Sequence, residues 1–356
     1  MTGRFERGIL IGAGGLVVGL LAVAVISPPS SEITLPDAQL NAPMLAKTAV
    51  LANVARTAVP DGIIRIKAVG TAAESLSDRV EIRALDPGYK AITLHTAAAL
   101  SKTFKRIGYD LDVIKAGGIA VPRLFLARLP PDMSAIRQIK ERKAIFFKTV
   151  LPLILQVNDE IWADRRRLWD LHARAINGEY LPAVDRLWLI VLAERYKVKR
   201  GDVKELLKRV DIMPTSMALA QAAEESGWGT SRFSREGNAI FGQWTFSDAE
   251  GLVPLKRQAG RTHKVRAFRN LLDSVRSYAR NLNTHRAYRK LRTVRQQMRR
   301  EGTAVRGRRL IETLTSYSER GVDYVKGLRA IMSDNNLDRL DAAKLSQLET
   351  AERPVI

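Results

Sequence analysis

Cysteine is absent from the 356-residue chain. That excludes a disulfide framework, a thiol nucleophile and a thiolate metal site, and leaves the redox compartment open. Histidine is scarce: His95, His172, His263 and His285 lie far apart with no HExxH-type ligand spacing. A metal enzyme is therefore disfavoured, and no cofactor is expected. No extended repeat of fixed period is visible, which argues against a solenoid. Acids are the other shortage, with 37 Asp plus Glu against 58 Lys plus Arg and a formal charge of +21. The deficit is concentrated between Lys256 and Arg309, where 18 basic residues meet only two acids, Asp273 and Glu301. Such a field attracts a polyanion: nucleic acid, anionic phospholipid, or the carboxylate- and phosphate-bearing polymers of an envelope. No nucleic-acid-binding signature accompanies it, and nucleic acid is not an expected partner.

Long apolar runs are missing too, except for one. Ile9 to Ile26 carries no charge, follows Arg4 and Arg7, and precedes Pro28, Pro29, Glu32 and Asp37. As a helix its 18 positions would reach roughly 27 Å, close to the hydrocarbon thickness of a bilayer. Basic residues before the run and acids after it put the N-terminus in the cytoplasm and the rest outside. The expectation is a single-pass inner-membrane anchor with the remainder in the periplasm. A cleaved signal peptide, with Ala22-Val23-Ala24 as a loose cleavage site, is the alternative and also exports the chain.

What the chain does contain is helical periodicity. The fold class expected is mainly α (α+β). Residues 1–30 are read as cytoplasmic tip and anchor, 31–119 as tether and N-terminal helical region, 120–200 as a helical region, 201–340 as the functional domain, and 341–356 as a polar tail. Helices are expected over 92–107, over about 134–175 with a kink or break at Pro152, and over 180–196, 202–210, 214–227, 271–291, 310–317 and 322–335. Thr215 or Ser216 is read as supplying a capping hydroxyl, and Gly227 as ending that helix at positive φ. Residues 237–268, with their glycines, aromatics and Pro254, read as a small β-rich lobe.

Glu224 and Glu225 close a helix of small residues just before Gly227-Trp228-Gly229. The negative end of the helix dipole opposes ionisation there, and Trp228 is placed to shield one carboxylate from water. Both effects raise a carboxyl pKa, which suits a glycosidase acid that must hold a proton at neutral pH. Successive helical residues point ~100° apart, so only one of the two faces a given cleft; two solvated surface acids remain the alternative.

The string AQAAEESGWG (220–229), followed by GNAIFG (237–242), resembles the signature of glycoside hydrolase family 73, the glucosaminidases of bacterial cell-wall turnover. VPRLFLARLPPD (121–132), ERKAIFFKTVLPLIL (141–155) and YSERGVDYV (317–325) are similar to the Bax-like proteins of that family, so the likeness covers roughly residues 120–335. It implies a lysozyme-like fold with a helical lobe and a small β lobe, and peptidoglycan glycan strands as substrate. It maps the acid to Glu225, leaves Glu224 non-catalytic, and places Asn238, Phe241 and Gly242 in a turn bordering the cleft. It also points to a late tyrosine at the sugar or reacting water, Tyr317 first and Tyr324 second. Here the two are seven apart, where the family commonly has six; a core tyrosine is the other reading of Tyr317.

A second carboxylate is less legible. Asp248 and Glu250 are the candidates; Glu250, before Gly251, is either a base for water or an exposed turn residue. Without it, the substrate's own acetamido group could act as nucleophile. Trp228, Phe241 and Trp244, beside Gln243, are candidate sugar platforms, although isolated aromatics more often belong to a core. The expected activity is cleavage of the β-1,4 bond between N-acetylglucosamine and N-acetylmuramic acid. A lytic transglycosylase is the nearest alternative, but such enzymes usually carry Gly-Leu-Met-Gln where this chain has Phe241-Gly242-Gln243-Trp244. A non-catalytic glycan-binding scaffold is the alternative outside enzymes. Oligomeric state is not legible.

Overall fold

The computed structural model describes residues 80–82, 92–94, 96–245, 251–253 and 264–347. Ile9–Ile26, Asp248, Glu250 and the end of the tail lie outside them. Among the described residues no helix is long and apolar enough to cross a membrane.

The chain is mainly helical. β1 (Val80–Ile82) pairs antiparallel with β2 (Ile92–Leu94), so the helix expected from Ile92 starts later. α1 (Ala97–Arg106) begins where the Thr96 hydroxyl accepts from Ala99 N, the β-branched Ile92 and Thr93 having gone to the strand. α2 (Leu111–Lys115) is capped by Asp110.

α3 (Ile139–Ile176) is a 38-residue spine that continues through Pro152. The proline does not split it, because Val150 to Leu155 are all buried and packing outweighs the one missing hydrogen bond. α4 (Ala183–Arg195) and α5 (Val203–Arg209, capped by Asp202) follow. α6 (Thr215–Ser226) then runs through the core with Met217, Ala218, Leu219, Ala220, Ala222 and Ala223 all buried.

The start of α6 corrects the sequence reading, since no local hydroxyl caps it. Asp341 accepts from Ser216 N at 2.8 Å and from Gly307 N at 2.9 Å. α7 (Arg232–Gly237) leads into the region read as β-rich, which contributes, among the described residues, only a two-residue pairing of β3 (Trp244–Thr245) with β4 (Lys264–Val265) and a bridge from Leu252 to Val265.

α8 (Leu271–Thr284) stops at His285, and after one 3₁₀ turn α9 (Arg289–Arg300) begins; the single helix expected over 271–291 is thus two. α10 (Gly307–Leu310) and α11 (Val322–Asp334) complete the set. Tyr317 sits in the turn between them rather than on a helix.

One hydrophobic core joins α1, α3, α6, α8 and α11, so the regions 120–200 and 201–340 share an interior. Residues 341–347 belong to it as well. Leu345 is buried and bridges Val121, and Ser346 N donates to Val121 O, so this part of the expected tail is packed.

Candidate active site

The site is built on the C-terminus of α6. Gly227, Trp228 and Gly229 all take positive φ, at 57°, 61° and 78°. Glycine does this freely, whereas tryptophan does so only when its surroundings hold it there. The hold comes from α3, where Phe146 and Phe147 meet the Trp228 ring edge-on at 6.1 and 5.3 Å and the Lys143 ammonium lies 4.5 Å from its centre. Ser226 closes the turn by donating to Ala222 O and accepting from Gly229 N. A methyl group on Gly229 would lie 2.9 Å from the Leu129 side chain and 3.2 Å from the Phe146 ring, which adds crowding to a φ of 78° that already favours glycine. The long helix ahead of the domain therefore holds the turn that follows α6.

Glu225 is half-buried at that end. Tyr324, on α11, donates from its hydroxyl to Oε1 at 2.8 Å. Gly242 lies against Oε2, where a methyl group would sit 3.2 Å away. Burial pushes the carboxyl group up to about 7, opposed by the Tyr324 hydrogen bond, assisted by Glu224, and opposed again by Arg320. The neighbouring Glu224 is half-buried and paired with Arg320, whose guanidinium also lies 5.3 Å from the Tyr324 ring centre. The two acids of one helical turn are thereby separated, one neutralised by a cation and the other left as a desolvated acid.

Behind Glu225 runs a chain of hydrogen bonds. The Tyr278 hydroxyl, from α8, donates to Gln221 Oε1 at 2.6 Å, and Gln221 Nε2 donates to the Tyr324 hydroxyl at 3.1 Å. Tyr317 stacks on Tyr324, with centroids 5.5 Å apart and planes at 4°, and donates to Phe241 O at 3.3 Å. Tyr288 adds a tilted ring 5.8 Å from Tyr317.

The candidate residues divide accordingly. Glu225, Tyr324, Tyr317 and Gly242 come together. Phe241 does not serve as a platform: its ring is buried and stacked on Tyr278 at 3.9 Å, with its backbone carbonyl holding Tyr317. Asn238 is also buried, ends α7 at φ 52°, and donates to Phe268 O and Arg269 O, so it pins the loop. Trp228 engages α3, and the neighbours met by the Glu225 carboxyl are the tyrosines and Gly242 instead.

Gln243 accepts at its backbone from Arg266 N at 2.7 Å, and its side-chain Oε1 is buried without a partner among the described residues. Trp244 pairs with Val265 in the β3–β4 ladder. Glu250 lies outside the described residues. Sequence reasoning missed Gln221, Tyr278, Tyr288 and Arg320. Gln221 had a usable signal, sitting four residues before Glu225 on the same helical face. Tyr278 had a weaker one, a tyrosine at a core position whose hydroxyl must find a partner. Among the described residues no group of acids and histidines is arranged to hold a metal ion.

Residues 201–337 match the glucosaminidase family described as mannosyl-glycoprotein endo-beta-N-acetylglucosaminidase. Protein bax of Escherichia coli (strain K12) is 37% identical over 221 residues, which span 60% of this chain and 77% of that protein. The chain belongs to the Bax-like proteins that carry a glucosaminidase domain. No solved structure matches it. For this Bax-like chain the family relation supports a glycoside-hydrolase-type enzyme of the peptidoglycan-related class. The matched span contains every residue of the hydrogen-bond chain from Tyr278 to Glu225, whereas Lys143, Phe146 and Phe147, which hold Trp228, come from the helix before it.

Proposed function

We propose that this protein hydrolyses the β-1,4 bond between N-acetylglucosamine and N-acetylmuramic acid in peptidoglycan, with Glu225 as general acid. The observation that carries this reading is the half-buried Glu225 carboxyl, pushed up to about 7 while its neighbour Glu224 is tied to Arg320. An acid with a pKa near the working pH holds its proton in the resting enzyme and releases it readily in the transition state.

Glu225 protonates the glycosidic oxygen, the bond from C1 to that oxygen breaks, and the oxocarbenium-like centre is taken by water or first by the substrate's acetamido oxygen. Tyr317, half-buried where Tyr324 and Tyr288 are buried, is the group proposed to contact sugar or water; Tyr324 holds the acid. Glu250 remains the candidate base for water. The lysozyme-like arrangement of a helical lobe and a β lobe about a cleft, the N-terminal membrane anchor and the periplasmic placement belong to the same proposal.

The test is digestion of purified sacculi by the full chain, followed by mass spectrometry of the muropeptides. New reducing N-acetylglucosamine ends are expected. Anhydromuramyl products would replace the reading with lytic transglycosylation. Products equally abundant with Glu225→Gln would sink the assignment of the acid, and no products from either would leave a glycan-binding scaffold.

A further inference from the structure

The hydrogen-bond chain behind Glu225 has a direction, and one residue sets it. A glutamine amide has unlike ends, an acceptor oxygen and a donor nitrogen. Two polarities are conceivable for the series from Tyr278 through Gln221 and Tyr324 to Glu225. In one, each proton points toward Glu225; in the other, each points away, with the acid donating to Tyr324.

The surroundings choose between them. Tyr278 is buried, and its hydroxyl has no hydrogen-bond partner among the described residues other than Gln221. If Gln221 presented its nitrogen to Tyr278, the tyrosine's own proton would be buried without an acceptor, which is costly in a desolvated interior. With the oxygen facing Tyr278, every proton in the series has an acceptor: Tyr278 to Gln221 Oε1, Gln221 Nε2 to the Tyr324 oxygen, and Tyr324 to Glu225 Oε1.

We propose that Gln221, held by Tyr278, is a positioning residue that keeps the Tyr324 proton on Glu225 Oε1, so that Glu225 carries its own transferable proton on Oε2, beside Gly242. This rests on the reading of Glu225 as the acid and adds which of its oxygens delivers the proton. Oε2 is the oxygen with no donor among the described residues, and the half-buried carboxyl is open on part of its surface. The device also has a consequence for ionisation. A Tyr324 proton that cannot turn away stabilises the anion, so the acid gives up its proton more readily than burial alone would allow.

The test is a titration that needs no substrate. Full-length chain labelled with carbon-13 at the glutamate carboxyl carbons is followed by NMR against pH, with Glu225→Gln identifying the resonance. Gln221→Met removes both hydrogen bonds. Gln221→Glu, an acceptor at both ends when ionised, draws the Tyr324 proton away from Glu225. Tyr278→Phe removes only the group that orients the amide. The other charged and titratable groups facing Glu225, which are Glu224 on α6, Arg320 before α11, Tyr317, Tyr324 and Tyr288, stay in place.

The expected result is a rise of the Glu225 midpoint, by about threefold to tenfold in acid constant for the Gln221 variants and less for Tyr278→Phe. A midpoint unchanged in every variant that retains its cooperative thermal unfolding would overturn the proposal; Tyr278→Phe alone suffices if the Gln221 variants fail to fold. The proposed activity is separable. Sacculus digestion without any shift defeats the positioning role alone, whereas a shift in a chain that never cleaves glycan defeats the glycosidase reading alone.

Discussion

Glu225 keeps its proton up to about pH 7 in the folded chain, against an ordinary value of 4.5 once unfolded. Between those values the native state binds more protons than the unfolded one. The group's contribution to stability is therefore full below about 4.5, falls as pH rises through the window, and stays low above about 7. Glu225→Gln should raise the thermal midpoint at pH 8 by roughly a few degrees and leave it unchanged at pH 4, as calorimetry at both values would show. The same substitution should lower kcat/KM on sacculi about 10²- to 10⁴-fold, and the wild-type profile should fall on the alkaline side with an apparent pKa near the Glu225 value. Gly242 offers a second check at this scale. Its φ is 59°, and a methyl group there would lie 3.2 Å from Glu225 Oε2. Gly242→Ala should cost about 1 kcal/mol in urea unfolding through backbone strain. It should also reduce kcat more than that strain explains, because the added carbon crowds the carboxyl. A kcat equal to wild type would show that Oε2 is not the working oxygen.

At the scale of elements, the end of α6 is where local and distant determinants meet. Gly227 and Gly229 announce a left-handed stop, and the helix does end at Ser226. That Trp228 shares the left-handed conformation was not legible, because the force holding it comes from Phe146 and Phe147 on α3, some 80 residues earlier. Trp228→Ala should therefore cost about 2–3 kcal/mol in denaturant unfolding, less than a fully buried tryptophan because the ring is only half-buried. Trp228→Phe should recover most of it, since a ring can still meet α3 edge-on. Equal losses for the two would mean that the backbone turn, and not the aromatic contact, carries the stability. The cap of α6 makes the same point, since Asp341 supplies it across 125 residues. No reading of Thr215 or Ser216 in isolation could have found that acid.

For the molecule as a whole, the basic excess divides in two. Arg292 and Arg295 are buried and donate from their Nη atoms to backbone carbonyls, Leu282 and His285 for the first, and Lys208, Arg209, Asp211 and Ile212 for the second. These belong to the architecture and do not face a polyanion. Asp211, only 2% exposed, ties α3 and α9 together through Arg165, Arg295 and Arg299. Burial alone would raise its pKa, but Arg295, the Arg299 hydrogen bond and Arg165 outweigh it and hold the carboxyl below its usual range. Asp211→Asn leaves three cations without their shared anion and should cost about 3–5 kcal/mol, read from urea midpoints at constant slope. Arg286, Arg289, Lys290, Arg300 and Arg306 remain exposed. Binding of the full chain to sacculi should accordingly weaken several-fold between about 50 and 500 mM salt in a pull-down, as screening shortens the reach of those charges.

Helical periodicity, the glycine-flanked stop and the carboxylate beside it are local properties of the chain, so the helical class and the position of Glu225 at a helix end could be read before any folding was considered. Which groups touch that carboxylate is a different kind of fact. Tyr324 lies 99 residues from Glu225, and Tyr278 lies 57 from Gln221. Only packing of α6, α8 and α11 around one core brings them within hydrogen-bond distance. The same packing turns Phe241 and Asn238 inward. A short-range pattern can say that an acid stands at a helix terminus; its desolvation and the direction of its hydrogen bonds depend on contacts between segments far apart along the chain.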